Sequence, residues 1–159
     1  MPPYPKERDQ LYRWTLRSIA LGLSCEGVAL LLHNHALAYA AQGWTALSVV
    51  VASLSFLVWL SSWRTMVRAL AVIGLVVWPW WQLGGWAGSL AATAIMAAKE
   101  THCFHFPAGK IVPWYSLGLG VALLTPLPSP VIAAGWIGLA LLWWWMAWDR
   151  SRLPLFEVH

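Results

Sequence analysis

The chain alternates between long apolar stretches and short breaks of polar, Pro and Gly residues. Six stretches of helical length stand out, at about 15–33, 43–62, 67–83, 86–104, 112–125 and 131–148. A helix crosses the hydrocarbon core in about 20 residues, with ~17 as a working minimum. The pattern predicts an all-α transmembrane bundle of six spans, polytopic, with residues 1–159 forming one domain. The fifth stretch is the shortest, so a tilted or re-entrant course is expected there.

The basic residues give an independent test. Lys6, Arg8, Arg13 and Arg17 precede or begin the first stretch, and Arg64 and Arg68 lie between the second and third. Lys99 and Lys110 flank the connection from four to five, and Arg150 and Arg152 follow the sixth. The remaining connections, "HNHALAYAAQG", "QLGG" and "TPLPSP", carry neither Lys nor Arg. Six spans therefore sort all ten basic residues to one side. The positive-inside rule puts that side, with both termini, in the cytoplasm or its equivalent. The start resembles a signal peptide, with a basic lead and an apolar core from Ile19 to Leu32. Glu26 interrupts that core, so a retained first span is expected.

Composition agrees. Hydrophobic residues make up 60% of the chain and charged residues only 10%, where a soluble domain carries about a quarter. The net charge of +4 reads as orientation. No basic run interleaved with exposed aromatics suggests nucleic acid, so the partner is the lipid bilayer. Most of the fourteen tryptophans fall near span ends, as in two interfacial aromatic belts. Trp59 and Trp136 lie deeper. Cys25 and Cys103 fall at different depths, which argues against a disulfide.

Span four is built from small residues, Ala87 to Ala98, and is expected to be central. Span five repeats the theme with Ser116, Gly118 and Gly120. Pro79 near the outer end of span three is expected to kink it at little cost.

Three groups of residues carry candidate chemistry. Glu26 stands nine residues beyond Arg17, ~13 Å along a helix, and so in mid-membrane. It shares a face with Gly22, Ala29 and His33. A carboxyl at that depth faces the bundle interior and is a functional candidate, for proton or ligand handling, or a hydrogen-bonded link between helices. Ser89, Thr93, Ser53 or Ser55 is its expected partner. The outer-loop histidines His33 and His35 could take a soft metal or an axial cofactor position, or simply end a helix. The third group is "AAKETHCFHFPAGK". Here a helix running to about residue 104 puts Lys99, His102 and Cys103 on one face, with Glu100 projecting elsewhere. Pro107 and Gly109 are expected to end it, and Phe104 and Phe106 to dip into lipid. His102, Cys103 and His105 could ligate zinc or copper, although the spacing matches no closed motif. Cys103 beside a histidine could be a nucleophile, but no substrate pocket is legible. Glu100 is expected to pair with Arg64 or Arg68.

The stretch "KETHCFHFPAGKIVPWYSLGLG" resembles the signature of an uncharacterised family of integral membrane proteins found largely in cyanobacteria. The family pattern is Lys-Glu-x-x-Cys-Phe, matched by Lys99, Glu100, Cys103 and Phe104. The start, "KERDQLYRWTLRSIALGL", is similar to the family's lead into its first span. His102 and His105 are not part of the pattern, which weakens a metal reading. The resemblance implies a multi-pass protein of a cell inner membrane or thylakoid membrane. It supplies no activity and no cofactor.

Three functional classes follow. The first is a non-catalytic accessory or assembly component docking to a larger membrane complex, which the small size and short loops favour. The second is a small transporter or proton conductor centred on Glu26. The third is a haem, quinone or metal-binding redox protein, disfavoured because the histidines sit at opposite span ends.

Overall fold

A computed structural model describes residues 6–56 and 60–154. Those residues form six helices and no strand: α1 (Lys6–Leu31), α2 (His35–Ser55), α3 (Ser61–Val77), α4 (Gln82–Phe104), α5 (Pro107–Leu123) and α6 (Ser129–Ser151). Three of them, α1, α2 and α6, are long and apolar enough to cross a membrane. At 17 residues each, α3 and α5 are ~25 Å long at ~1.5 Å per residue, shorter than the ~30 Å hydrocarbon core.

The helices run up and down in a closed ring. Each packs on its chain neighbour, and α6 returns to α1. The most extensive contacts are α1 with α6 and α1 with α2; α4 packs on α3, α5 and α2. Span four was expected to be central; α4, like α2, packs on three other helices, while α1 carries the two largest interfaces. Large side chains fill the middle: Leu16, Ile19 and Leu23 of α1, Val49 of α2, Met96 of α4, and Trp136, Leu139 and Trp143 of α6.

Small residues set the helix spacings, as lipid-embedded packing requires. A Cβ on Gly88 of α4 would stand 2.8 Å from the Cα of Gly74 on α3. Gly22 of α1 lies directly against the Thr45 side chain of α2, beside a Ser18 Oγ to Ser48 Oγ hydrogen bond of 2.7 Å.

Several boundaries differ from the sequence expectation. The polar connection after the first span is a tight turn, because α2 begins at His35 rather than near 43. Asn34 caps it: its side chain accepts from the Leu37 N–H at 3.1 Å, satisfying an otherwise orphaned donor. The Ala-rich segment that read as loop is good helix-forming sequence. The second stretch also stops early, at Ser55, and α3 starts at Ser61. Residue 59, the deep tryptophan of the sequence reading, lies outside the described residues. Pro79 does not kink α3; it sits in the turn beyond the helix end, where it cannot continue the i→i−4 ladder. Gly109 does not end α4. It lies inside α5, pressed on Thr101 and on the Ala97 carbonyl of α4. His105 makes the turn instead, at φ 57°, with its N–H bonded to the Thr101 carbonyl at 2.8 Å. Pro107 then opens α5 at its first position, where a missing N–H costs nothing.

The tryptophans divide in two. Trp63, Trp80, Trp81 and Trp148 are exposed near helix ends, whereas Trp44 and Trp114 are exposed at the middle of α2 and α5. Trp86 and Trp143, assigned to the belts from sequence, are core residues. Trp86 packs on Trp136 with ring centroids 4.1 Å apart, joining α4 to α6 across the ring.

Candidate functional site

The basic ends of α1, α4 and α6 hold a buried ion cluster. Asp9 of α1 is fully buried. Its Oδ1 accepts from Nη2 of Arg150 at 2.6 Å, and its Oδ2 accepts from Nε of Arg13, one helical turn on, at 3.0 Å. Arg13 also donates to the backbone carbonyls of Leu153 and Pro154, at 2.7 and 2.9 Å. This ties the segment after α6 to the start of α1. Glu100 of α4, also fully buried, takes Lys99 Nζ on Oε1 at 3.2 Å. Its Oε2 lies 3.5 Å from Nη1 of Arg150. Two carboxylates and three cations thus share one site.

Aromatic rings line it. The Arg150 guanidinium lies 4.2 Å from the Phe104 ring centroid. Lys99 Nζ is 5.3 Å from Phe56, 5.6 Å from Phe104 and 5.9 Å from Tyr12, within cation–π range. Phe104 and Phe106 stack with centroids 5.5 Å apart, and Phe106 is buried. Phe104 packs over the charges and Phe106 stacks on Phe104, so neither dips into lipid as the sequence reading expects. Asp9 and Arg150 lie in the turns flanking the apolar stretches. Burial alone would raise the Asp9 carboxyl, but Arg150 and then Arg13 outweigh it and hold it below the usual value. For Arg150, burial opposes the charge, while Glu100 and Asp9 outweigh it and raise the guanidinium further.

The sequence reading expected Glu100 to pair with Arg64 or Arg68. Its partners are Lys99 and Arg150. Arg68 instead lies 3.4 Å from each of the Ser53 and Leu54 carbonyls at the end of α2, closing off open acceptors there. Lys99 and Glu100 therefore belong to the cluster. Cys103 is exposed beside it, as is His102, and His105 serves as the helix-ending residue. His102, Cys103 and His105 do not converge. Among the described residues no group of three or more His, Cys, Asp or Glu is arranged to hold a metal ion.

Glu26 is buried at 6% exposure in the half of α1 away from the charges. None of the serines or threonines named from sequence is its partner. Ser53, Ser55 and Thr93 bond to carbonyls of their own helices, and Glu26 Oε2 meets no hydrogen-bond partner. Asp9 is 17 residues away on the same helix, ~25 Å at ~1.5 Å per residue. Between them α1 turns Leu16, Ile19 and Leu23 inward. His33 and His35 are exposed at the turn into α2, with His33 at φ 52°. They end one helix and begin the next.

A second feature was not foreseen. The outward side of α4 and α5 forms an apolar groove of about 570 Å³ between the two helices. Ala87, Ala91 and Ala94 line one wall and Trp114, Ser116 and Gly120 the other. No charged side chain contributes. Ser116 is buried, and its Oγ has no hydrogen-bond partner.

Two of these features left traces in the sequence. The Asp9/Arg13 spacing of four is the ordinary helical ion-pair signal, and Ser116-xxx-Gly120 is a small-residue packing signal. That Arg150 reaches Asp9 from 141 residues away had no local signature. Comparison of the chain with protein-family models, curated proteins and solved structures returned no match.

Proposed function

We propose that the protein is a six-span membrane protein with both termini cytoplasmic. In this reading it acts as a non-catalytic accessory or assembly component that docks laterally onto a larger membrane complex. The observation that carries the docking role is the charge-free groove between α4 and α5, an unfilled packing surface at membrane depth. Six spans are supported by the outward faces of the short helices. Val72, Ile73 and Val76 on α3, and Ile111, Trp114, Leu117 and Val121 on α5, are exposed and apolar. Such faces suit lipid and not water. The sorting of the charges to one end supports the orientation.

The interior favours a structural role. A proton path through Glu26 needs relays or water across the bilayer, and the middle of the bundle is packed with aliphatic and aromatic side chains. The ion cluster pairs buried carboxylates with buried cations. The family resemblance carried by Lys99, Glu100, Cys103 and Phe104 suggests a cell inner membrane or thylakoid membrane as host. A photosynthetic or respiratory assembly would then be the natural partner.

Mild-detergent extraction followed by native gel electrophoresis tests the docking role. The protein is expected in a band shared with other membrane polypeptides. Migration only as free chain would refute docking.

A further inference from the structure

Arg17 lies within the apolar part of α1, half-buried. It stands eight residues beyond Asp9, ~12 Å further along the helix at ~1.5 Å per residue. Asp9 and Glu100 engage Arg13, Lys99 and Arg150, and among the described residues no carboxylate pairs with Arg17. Its guanidinium lies instead over the Trp14 ring, 4.9 Å from the centroid. Trp14 is one turn nearer the basic end, so the side chain folds back toward the headgroup level, as a cation on a spanning helix does.

Trp14 is also a wall of a groove of about 270 Å³ between α1 and α2, separate from the one between α4 and α5. Two contacts set its register: Ser18 meets Ser48 and Gly22 meets Thr45. They bring Trp14 level with the last turn of α2. The groove therefore runs from the basic end, at Trp14 and Val51, toward the middle of α2 at Trp44. The hydroxyls along it and the Trp44 indole are satisfied within the chain. Thr15 Oγ1 donates to the Tyr12 carbonyl at 2.6 Å, and Ser18 Oγ pairs with Ser48 Oγ at 2.7 Å. Ser48 Oγ donates to the Trp44 carbonyl at 2.8 Å, and Trp44 Nε1 donates to the Ser18 carbonyl at 3.2 Å. The walls thus offer apolar surface, and the mouth carries an unpaired cation.

We infer that this groove holds an acyl chain of an anionic phospholipid whose phosphate sits on Arg17. Charge complementarity selects the head. An anionic lipid leaves its phosphate for the guanidinium, whereas a zwitterionic one brings its own cation beside it. The rim selects a chain over a helix. Trp14, Trp44 and Leu47 are 53–57% exposed, and such bulk keeps a helix backbone from the close approach that small residues allow. The inference needs only α1 and α2 to cross the membrane, for which both are long and apolar enough. It is independent of lateral docking at α4 and α5.

The full chain in mild detergent is titrated with equal amounts of phosphatidylglycerol and phosphatidylcholine of the same acyl chains and read by native mass spectrometry. Preferential retention of a single phosphatidylglycerol is expected. Arg17→Gln, which breaks no ion pair, is expected to lose that preference, and Arg152→Gln, exposed beyond α6, to keep it. In vesicles of the two lipids, phosphatidylglycerol with a diazirine on its acyl chain is expected to label Leu47 and Val51 more strongly than Leu141 on the exposed face of α6. Equal retention of the two lipids, an unchanged preference in Arg17→Gln, or equal labelling of Leu141 and Leu47 would each overturn the site. So would photo-cross-linking from benzoylphenylalanine at position 47 to a polypeptide rather than to lipid in native membranes.

Discussion

Asp9 illustrates how one side chain can hold several elements. It is fully buried and bonded to Arg13 and Arg150. Removing one partner of a buried ionic group leaves the other charges uncompensated, which costs about 3–5 kcal/mol. Asp9→Ala is therefore expected to lower unfolding stability by that order in detergent titrations. Arg152→Ala, exposed beyond α6, should change it by less than ~0.5 kcal/mol. The pH dependence has a definite sign. Asp9 is held below its ordinary value of 3.8, so its contribution is complete above that pH and lost as pH falls through the lower folded-state value. Thermal midpoints should thus be insensitive to this group near neutrality and drop in strong acid, and Asp9→Ala should flatten the acid limb. Some of this was legible in sequence: Lys99 and Glu100 stood out as charges in an apolar chain. Their role did not, because Arg150 is brought to them by closure of the ring between α6 and α1, a long-range event without a local pattern.

At the scale of the element, apolar length located all six helices but misplaced their ends. The error at α2 has a clear cause. Residues 35–42 are helix-forming yet mildly polar, so hydropathy read them as connection, whereas the cap at Asn34 starts the helix there. The close crossing of α3 and α4 is a matter of backbone approach, which small residues permit. Gly88→Ala would place a methyl 2.8 Å from backbone atoms of Gly74 and Leu70. Overpacking of that kind costs about 1–3 kcal/mol. Gly118→Ala meets nothing within 4 Å and is expected to be neutral or to gain up to about 1 kcal/mol from helix propensity. Equilibrium unfolding in mixed micelles would separate the two variants, and equal effects would argue against the glycine crossing.

The whole molecule combines a packed interior, an ionic closure at one end and an unfilled groove on its flank. The small-residue content of α4 was visible in the sequence, but its use was split. One face serves the α3 crossing, and the other, through Ala87, Ala91 and Ala94, lines the groove. Periodicity alone could not say which face met a neighbour, since that depends on which helices adjoin in the ring. The central claim is that even the short helices cross the bilayer, with the basic end inside. The most direct test uses α5 and a membrane-impermeant maleimide, with Cys25→Ala as background. Cys103, exposed just before α5, is predicted to react only in inside-out vesicles. In a separate Cys103→Ala chain, Thr125→Cys, exposed just beyond α5, is predicted to react only in intact cells. Labelling of both positions from the same side would contradict the account.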